Sequence, residues 1–197
     1  MSHSKSWKLW LRVVVSLVFI LLFIVVTFRN DFLLFSIEQN SVTFTNVFLS
    51  IGANPNSIDY LGIPALSIAA MNIEGGNEIA KFLLTKGANP NLVDTHGNSP
   101  LHVAIHAGSI ATIKTLLKNG ANPNLATKDG RTPIFFSVFG ARHDVLELLI
   151  TYGGKNFGTN KKGTTALEVA KQNLDDFAVR RLESLSSATK QIGDLAP

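Results

Sequence analysis

Hydrophobic residues are distributed in two different ways along this 197-residue chain. Near the N-terminus, residues 13–28 form an uncharged run, VVVSLVFILLFIVVTF, and residues 9–12 extend it to twenty positions. Twenty helical residues at about 1.5 Å each reach roughly 30 Å, the thickness of a bilayer's hydrocarbon core. Beyond residue 30, apolar residues recur three and four positions apart in short segments that end at glycines, a pattern typical of amphipathic helices. We therefore expect one transmembrane helix at 9–28 and a series of short packed helices after it.

A cleaved signal peptide is the alternative interpretation of the apolar run. Signal peptides have an apolar region of roughly 7–15 residues, followed by small residues at the cleavage site. This run is longer and ends in Thr27-Phe28-Arg29 without such a site. Both tryptophans of the chain, Trp7 and Trp10, lie where an interfacial aromatic belt is expected. These features favour an uncleaved anchor.

Charges beside the run predict its orientation. After it, Arg29 is closely followed by Asp31, whereas three basic residues precede or begin it. Those three are Lys5, Lys8 and Arg12. The positive-inside rule then places residues 1–8 in the cytoplasm and the chain from residue 30 on the opposite side. In a bacterium that side is the periplasm; in a eukaryote it is lumenal or extracellular.

The net charge of +4 belongs to this flank rather than to the rest of the chain. From residue 30 onward there are fourteen Lys plus Arg and fourteen Asp plus Glu. Nucleic-acid binding requires a clustered basic patch, and none is evident, so no nucleic-acid partner is expected. The absence of cysteine excludes disulfides, thiolate metal sites and cysteine nucleophiles.

Two sets of glycines repeat in phase along the chain. One set consists of Gly52, Gly87, Gly120 and Gly153, which are spaced by 35, 33 and 33 residues. Each is the ninth residue of a similar segment: FTNVFLSIGANPN, IAKFLLTKGANPN, TIKTLLKNGANPN and VLELLITYGGKNF. The other set begins GIPALSIA, GNSPLHVA, GRTPIFFS and GTTALEVA with the same spacings: Gly62, Gly97, Gly130 and Gly163. A fixed period of this length is the signature of a repeat protein.

Each repeat unit contains signals for a pair of helices. Ser99-Pro100 is a helix start, with a hydroxyl N-cap and proline at the first helical position. Gly120 has the place of the left-handed residue that ends a helix, and Asp129-Gly130 predicts a tight turn. The unit is therefore expected to be two helices followed by a hairpin-like finger.

These motifs resemble the ankyrin repeat, most closely in SPLHVAIHAGSIATIKTLLKNGANPN at 99–124. The resemblance implies an all-α ankyrin-repeat solenoid of helix pairs with hairpin-like fingers, here behind one N-terminal transmembrane helix. The third good copy departs from the family pattern, with Ile134 in place of leucine and Phe135 in place of histidine. The predicted segments are 1–8 cytoplasmic, 9–28 anchor, 30–61 a degenerate first repeat, 62–96, 97–129 and 130–162 full repeats, 163–187 a capping repeat, and 188–197 a polar tail.

The sequence contains no recognisable set of catalytic residues or metal ligands. His102 and His106 have the i, i+4 spacing of metal ligands, but a third ligand is not evident, and the resemblance assigns His102 a structural role. Asp59, Asp94 and Asn160 recur once per repeat, which is typical of a turn-stabilising side chain. No catalytic residue, metal, cofactor or small-molecule substrate is therefore expected.

A protein partner is expected instead, because stacked repeats form an extended concave surface. In the ankyrin family, the finger tips and the exposed side of each first helix line that surface. Mapped onto this chain, the predicted partner-binding residues are Tyr60, Leu61, Ile63, Met71, His96, Asn98, His106, Lys128, Arg131, Phe136, Phe139 and Lys162.

The functional hypothesis is a non-catalytic protein-binding module tethered to a membrane. Anchored periplasmic ankyrin-repeat proteins that resemble this chain include immunity proteins that neutralise exported toxins, among them phospholipase effectors of type VI secretion, so a toxin or effector is the narrower hypothesis for the partner. The alternative is a structural or regulatory adaptor of an inner-membrane or envelope protein complex.

Overall fold

The computed structural model describes the backbone of residues 3–155 and 158–193, and the side chains of residues 13–155 and 158–187. The predictions for the side chains of Lys5, Trp7, Lys8, Trp10 and Arg12, and for the tail at 188–197, lie outside the described side chains.

Eleven helices and no strand occur in the described part of the chain, apart from two isolated β-bridges in the fingers. The helices are α1 His3–Thr27, α2 Arg29–Glu38, α3 Val42–Ser50, α4 Ala65–Met71, α5 Gly76–Thr85, α6 Pro100–Ala107, α7 Ile110–Lys118, α8 Pro133–Phe139, α9 His143–Thr151, α10 Ala166–Gln172 and α11 Asp176–Gly193. The prediction of an all-α ankyrin-repeat solenoid is confirmed, whereas the individual segment boundaries stay predictions.

Helices α2 to α11 form five consecutive pairs that stack on one another. Within pairs, α2 packs on α3, α4 on α5, α6 on α7, α8 on α9 and α10 on α11. The first helices of neighbouring pairs also pack together, from α2 against α4 to α8 against α10. A single apolar core therefore runs through the stack, from Leu33 in α2 to Leu182 in α11, both fully buried.

Local chemistry explains where the helices begin and end. The hydroxyls of Thr132 and Thr165 accept N–H bonds at the starts of α8 and α10, as expected of N-caps. Ser99 and His102 form a reciprocal capping box at the start of α6. Gly120 follows α7 with φ of 85°, so the predicted left-handed helix end is confirmed.

The apolar N-terminal helix α1 has 25 residues, and its described side chains from Val13 to Val26 are mostly exposed. Among the described side chains, which begin at Val13, no single helix combines the length and the hydropathy of a membrane span. The segments Val13–Thr27 and Arg29–Glu38 meet that criterion only together, and they are bent by 70°. The transmembrane anchor at 9–28 therefore stays a prediction.

Asparagines connect successive repeats in the loops that follow α3, α5 and α7. Asn91 accepts a hydrogen bond from the backbone N–H of Asn122 at 2.7 Å and donates one to the carbonyl of Gly120 at 3.0 Å. Asn56 and Asn124 make the same pair of bonds one repeat before and one repeat after. The last residue of each GANPN motif thus joins its loop to the next one, a role that the repeat motif alone did not reveal.

Replacing Asn91 with alanine is expected to lower the free energy of unfolding by about 2 kcal/mol, because two interrepeat hydrogen bonds are lost at about 1 kcal/mol each. Chemical denaturation of the full chain in detergent micelles measures the change. The control is Asn119→Ala, since the Asn119 side chain donates to the Thr115 carbonyl within its own repeat. Equal losses in the two variants would contradict the proposed role of Asn91.

Candidate protein-binding surface

Each finger is stabilised by one polar side chain at its base. Asp94 Oδ1 accepts the backbone N–H groups of His96 and Asn98, both at 2.8 Å. Asp59 and Asn160 make the equivalent pair of bonds in their own fingers. The turn-stabilising role predicted for these three residues is confirmed.

Hydrogen bonding also lowers the pKa of Asp94. Partial burial acts to raise its pKa, but the side chain and backbone of Asn98 and the backbone of His96 donate to it, and together they lower its pKa below the usual range. The Asn98 Nδ2 donates to Asp94 Oδ2 at 2.9 Å. Both carboxylate oxygens are thus occupied, and the finger tip is fixed in shape.

A groove of about 470 Å³ lies between the first helices α4, α6 and α8. Its apolar lining comes from Met71, Val103, Ala107 and Phe136, and its polar lining from Asp94, Asn98, His102, His106 and Arg131. We refer to it as the central groove. Apolar walls with a few fixed polar groups are the usual composition of a binding site.

Phe136 is held in place on the edge of the central groove. The guanidinium carbon of Arg131 lies 5.3 Å from the centre of its ring, a cation–π distance. The His102 ring contacts it edge-on, at 5.3 Å between ring centres. The preceding residue, Phe135, is buried, so helix phasing turns one phenylalanine into the core and leaves the other half-exposed.

His102 is a structural group beneath the groove. It is 2 % exposed, and its Nδ1 accepts the backbone N–H of Ser99 at 3.1 Å. Burial lowers its pKa from 6.5 to about 4, more than the nearby carbonyls of Arg131 and Leu125 raise it. The imidazole is therefore neutral at pH 7, with its proton on Nε2, since Nδ1 is the acceptor.

An ion-paired cluster joins two neighbouring fingers. Asp129 lies 3.0 Å from Arg131 Nη2 and 2.7 Å from Lys161 Nζ. Hydrogen bonds from Lys161 and then Arg131 lower the pKa of the Asp129 carboxyl below its usual range. The turn motif at Asp129-Gly130 predicts only a turn, and the contact of Asp129 with Lys161 cannot be predicted from it, because the two residues lie in different repeats.

Two further grooves adjoin the central groove and share Arg131 with it. One, of about 490 Å³, is lined by Phe139, Lys162 and their neighbours on α10. The other, of about 250 Å³, lies between fingers and is lined by His96, Lys128 and Lys161. We call the three together the concave surface. Its cationic groups outnumber its two carboxylates, Asp94 and Asp129.

The structure brings nine of the twelve predicted partner-binding residues together on the concave surface. They are Met71, His96, Asn98, His106, Lys128, Arg131, Phe136, Phe139 and Lys162. Phe139 is 71 % exposed, so it is the most accessible apolar group among them. Tyr60, Leu61 and Ile63 line none of the three grooves: Tyr60 and Leu61 are exposed on the first finger, and Ile63 packs partly against the core.

The described side chains contain no group of three or more His, Asp or Glu residues placed to hold a metal ion. His106 is exposed at the rim of the central groove, whereas His102 faces its floor. Their helical spacing therefore does not create a shared ligand site within the described part of the chain.

Comparison with known proteins agrees with the geometry. A family profile described as ankyrin repeats (3 copies) matches two overlapping segments of the chain, residues 33–127 and 112–185. No curated protein matches the chain significantly. The two matched segments together cover more than half of the sequence, and they include the helix pairs that carry the concave surface. The chain therefore belongs to the ankyrin-repeat family and is built as a protein–protein interaction module.

Proposed function

We propose that the concave surface binds one protein partner, with Phe139, Phe136 and Met71 as apolar anchors. The observation that supports this most is the continuity of three grooves around Arg131. Aromatic residues, methionine and arginine are enriched in interface cores, and hot spots favour aromatic and arginine side chains. The surrounding Lys128, Lys161 and Lys162 favour a partner with exposed carboxylates next to apolar side chains.

Membrane tethering is a separate part of the proposal. It rests on the exposed apolar side chains of α1 and on the basic residues that precede them. In this proposal the N-terminus is cytoplasmic and the repeats lie across the membrane, in the periplasm of a bacterium. A reporter enzyme active only outside the cytoplasm, fused after residue 197, gives activity if this topology is correct and none if it is inverted.

The narrower proposal is an immunity protein that neutralises an exported antibacterial toxin. It is supported by a surface suited to binding one partner protein, together with the proposed export topology. Expression of the full chain should then protect cells from a toxin encoded next to it. If deletion of the chain leaves cells fully resistant to that toxin, the immunity proposal fails, and an adaptor of an envelope protein complex becomes the better interpretation.

Alanine at Phe139 is expected to weaken partner binding at least tenfold, which corresponds to about 1.4 kcal/mol. The large exposed ring contributes apolar contact area and little to the core, so folding should be unaffected. Affinity is measured by titrating the purified partner against the full chain in detergent micelles. Lys114→Ala is the control, because Lys114 is exposed on the second helix α7 and lines none of the three grooves. Equal affinity of the Phe139 variant and the unmodified chain would refute the anchor role.

A further inference from the structure

The first helix pair carries an exposed apolar surface that the concave surface does not use. Phe28, the N-cap of α2, is followed by Phe32 and Phe35 at spacings of four and three residues, which places the three on one side of the helix. On α3 and its C-cap Ile51, an apolar stripe has the same periodicity: Phe44, Val47, Phe48 and Ile51. We call these seven side chains the aromatic face.

Most of the aromatic face is exposed, and only Phe48 of its seven side chains packs partly against the core. Phe35 and Phe44 are each 59 % exposed, whereas Leu33, Leu34 and Ile37 on the other side of α2 are buried. The sequence FLLF at 32–35 is thus divided, with both leucines packed inside and both phenylalanines outside. Phe35 therefore contributes little to the core, whereas Phe32 contacts it indirectly by stacking on Phe48.

A groove of about 420 Å³ separates the two stripes, and it is lined entirely by uncharged side chains. They are Phe32, Phe35, Ser36, Gln39, Ser41, Phe44 and Phe48. The rings of Phe32 and Phe48 stack at its base, 5.6 Å apart. An occupant of this groove must therefore be apolar, with at most a few polar groups that can meet Gln39 and the serines.

The aromatic face is continuous with the exposed apolar surface of α1. Only Phe28 separates the end of α1 at Thr27 from the start of α2 at Arg29, and the two helices are bent by 70°. If α1 crosses a bilayer along its normal, α2 lies within about 20° of the membrane plane, since that angle is the complement of the bend. No intervening chain is present that could carry the first repeat away from the bilayer.

We propose that the first repeat lies in the interfacial layer of the bilayer that α1 enters, with the aromatic face inserted among the headgroups and upper acyl chains. This proposal rests on the proposed membrane tethering by α1. Helices with an apolar side that lie flat on a membrane bury that side roughly 5–10 Å into the boundary of headgroups and acyl chains. The side chains that line the groove carry no positive charge, so apolar burial provides the attachment, and neutral phospholipids suffice.

The cysteine-free chain allows a direct test by nitroxide labelling of single cysteines. The full chain, with Phe44→Cys, Phe23→Cys or Phe139→Cys, is labelled and reconstituted into nanodiscs of neutral phosphatidylcholine. Collision rates are measured with oxygen, which concentrates in the bilayer, and with a water-soluble nickel chelate. The ratio of the oxygen rate to the nickel rate at Phe44 is expected to be several-fold higher than at Phe139, and lower than at Phe23, which lies within α1.

Each outcome bears on a different part of the proposal. A water-like ratio at Phe23 would overturn the membrane tethering itself. A bilayer-like ratio at Phe23 with a water-like ratio at Phe44 would overturn only the insertion of the aromatic face. If Phe44 is protected from both reagents and its spectrum shows dipolar broadening, a second copy of the chain covers the face, and the lipid proposal is wrong.

Discussion

His102 by itself is expected to lower the unfolding free energy of the full chain by up to about 3 kcal/mol as the pH falls from 7 to 4. Its pKa is about 4 in the folded protein, compared with an ordinary value of 6.5. Well above pH 6.5 the imidazole is neutral in both the folded and the unfolded chain, and the contribution of His102 to the unfolding free energy is fully present. Between pH 6.5 and pH 4 the unfolded chain binds a proton that the folded chain does not, so stability decreases as pH falls. The separation of the two pKa values corresponds to about 3 kcal/mol.

Glutamine at position 102 isolates this contribution. Its side-chain oxygen can accept the Ser99 N–H in a capping box, as Glu168 does for Thr165 at 2.7 Å in the last repeat, and it does not titrate. Denaturant unfolding at pH 7 and at pH 4 should show a smaller pH-dependent loss in His102→Gln than in the unmodified chain. The control variant His106→Gln alters an exposed histidine on the same helix and should retain the full loss. The same loss in all three proteins would show that His102 does not control the acid sensitivity.

Alanine at Gly130 is expected to destabilise the protein by about 2 kcal/mol more than alanine at Gly120. Both glycines have left-handed backbone angles, with φ of 80° and 85°, so each substitution incurs a conformational cost of roughly 1–2 kcal/mol. They differ in their surroundings. A Cβ on Gly130 would lie 2.0 Å from the carbonyl oxygen of Thr159 in the next finger, whereas nothing lies within 4 Å of a Cβ on Gly120. The overlap forces the two fingers apart, and overpacking of this kind costs typically 1–3 kcal/mol.

The Gly130 substitution should also weaken partner binding, since the displaced fingers carry Arg131 and Lys161, which meet at Asp129. Denaturant titration of both variants measures the stability difference, and titration with the partner measures the binding difference. Equal unfolding free energies for Gly130→Ala and Gly120→Ala would mean that the fingers are not in rigid contact.

Features that depend on short-range sequence patterns, such as helix ends, could be predicted from the sequence. Ser99-Pro100 and Gly120 define helix ends through their own side-chain and backbone chemistry, so the sequence predicted them and the structure confirmed them. The exposure of Phe139 agrees with the position that the ankyrin resemblance implies for it. Such features depend only on residues a few positions apart.

Interactions between repeats could not be predicted in the same way. The bonds of Asn91 reach residues 29 and 31 positions away, and the contact between Asp129 and Lys161 joins two fingers. Tyr60 is expected on the binding surface from its position in the repeat motif, and that expectation stays a prediction, since Tyr60 is exposed but lines none of the three grooves. These features depend on how the repeats stack, which a single repeat motif does not specify.

Site-specific photo-crosslinking tests most directly whether the concave surface is the binding surface. The full chain would carry a benzophenone amino acid at Phe139, at Met71 or at the exposed Lys114 of α7, and would be irradiated in its native cells. We predict that the same partner is crosslinked from Phe139 and Met71 and not from Lys114. Crosslinking of that partner from Lys114, with none from Phe139 or Met71, would contradict a concave binding surface.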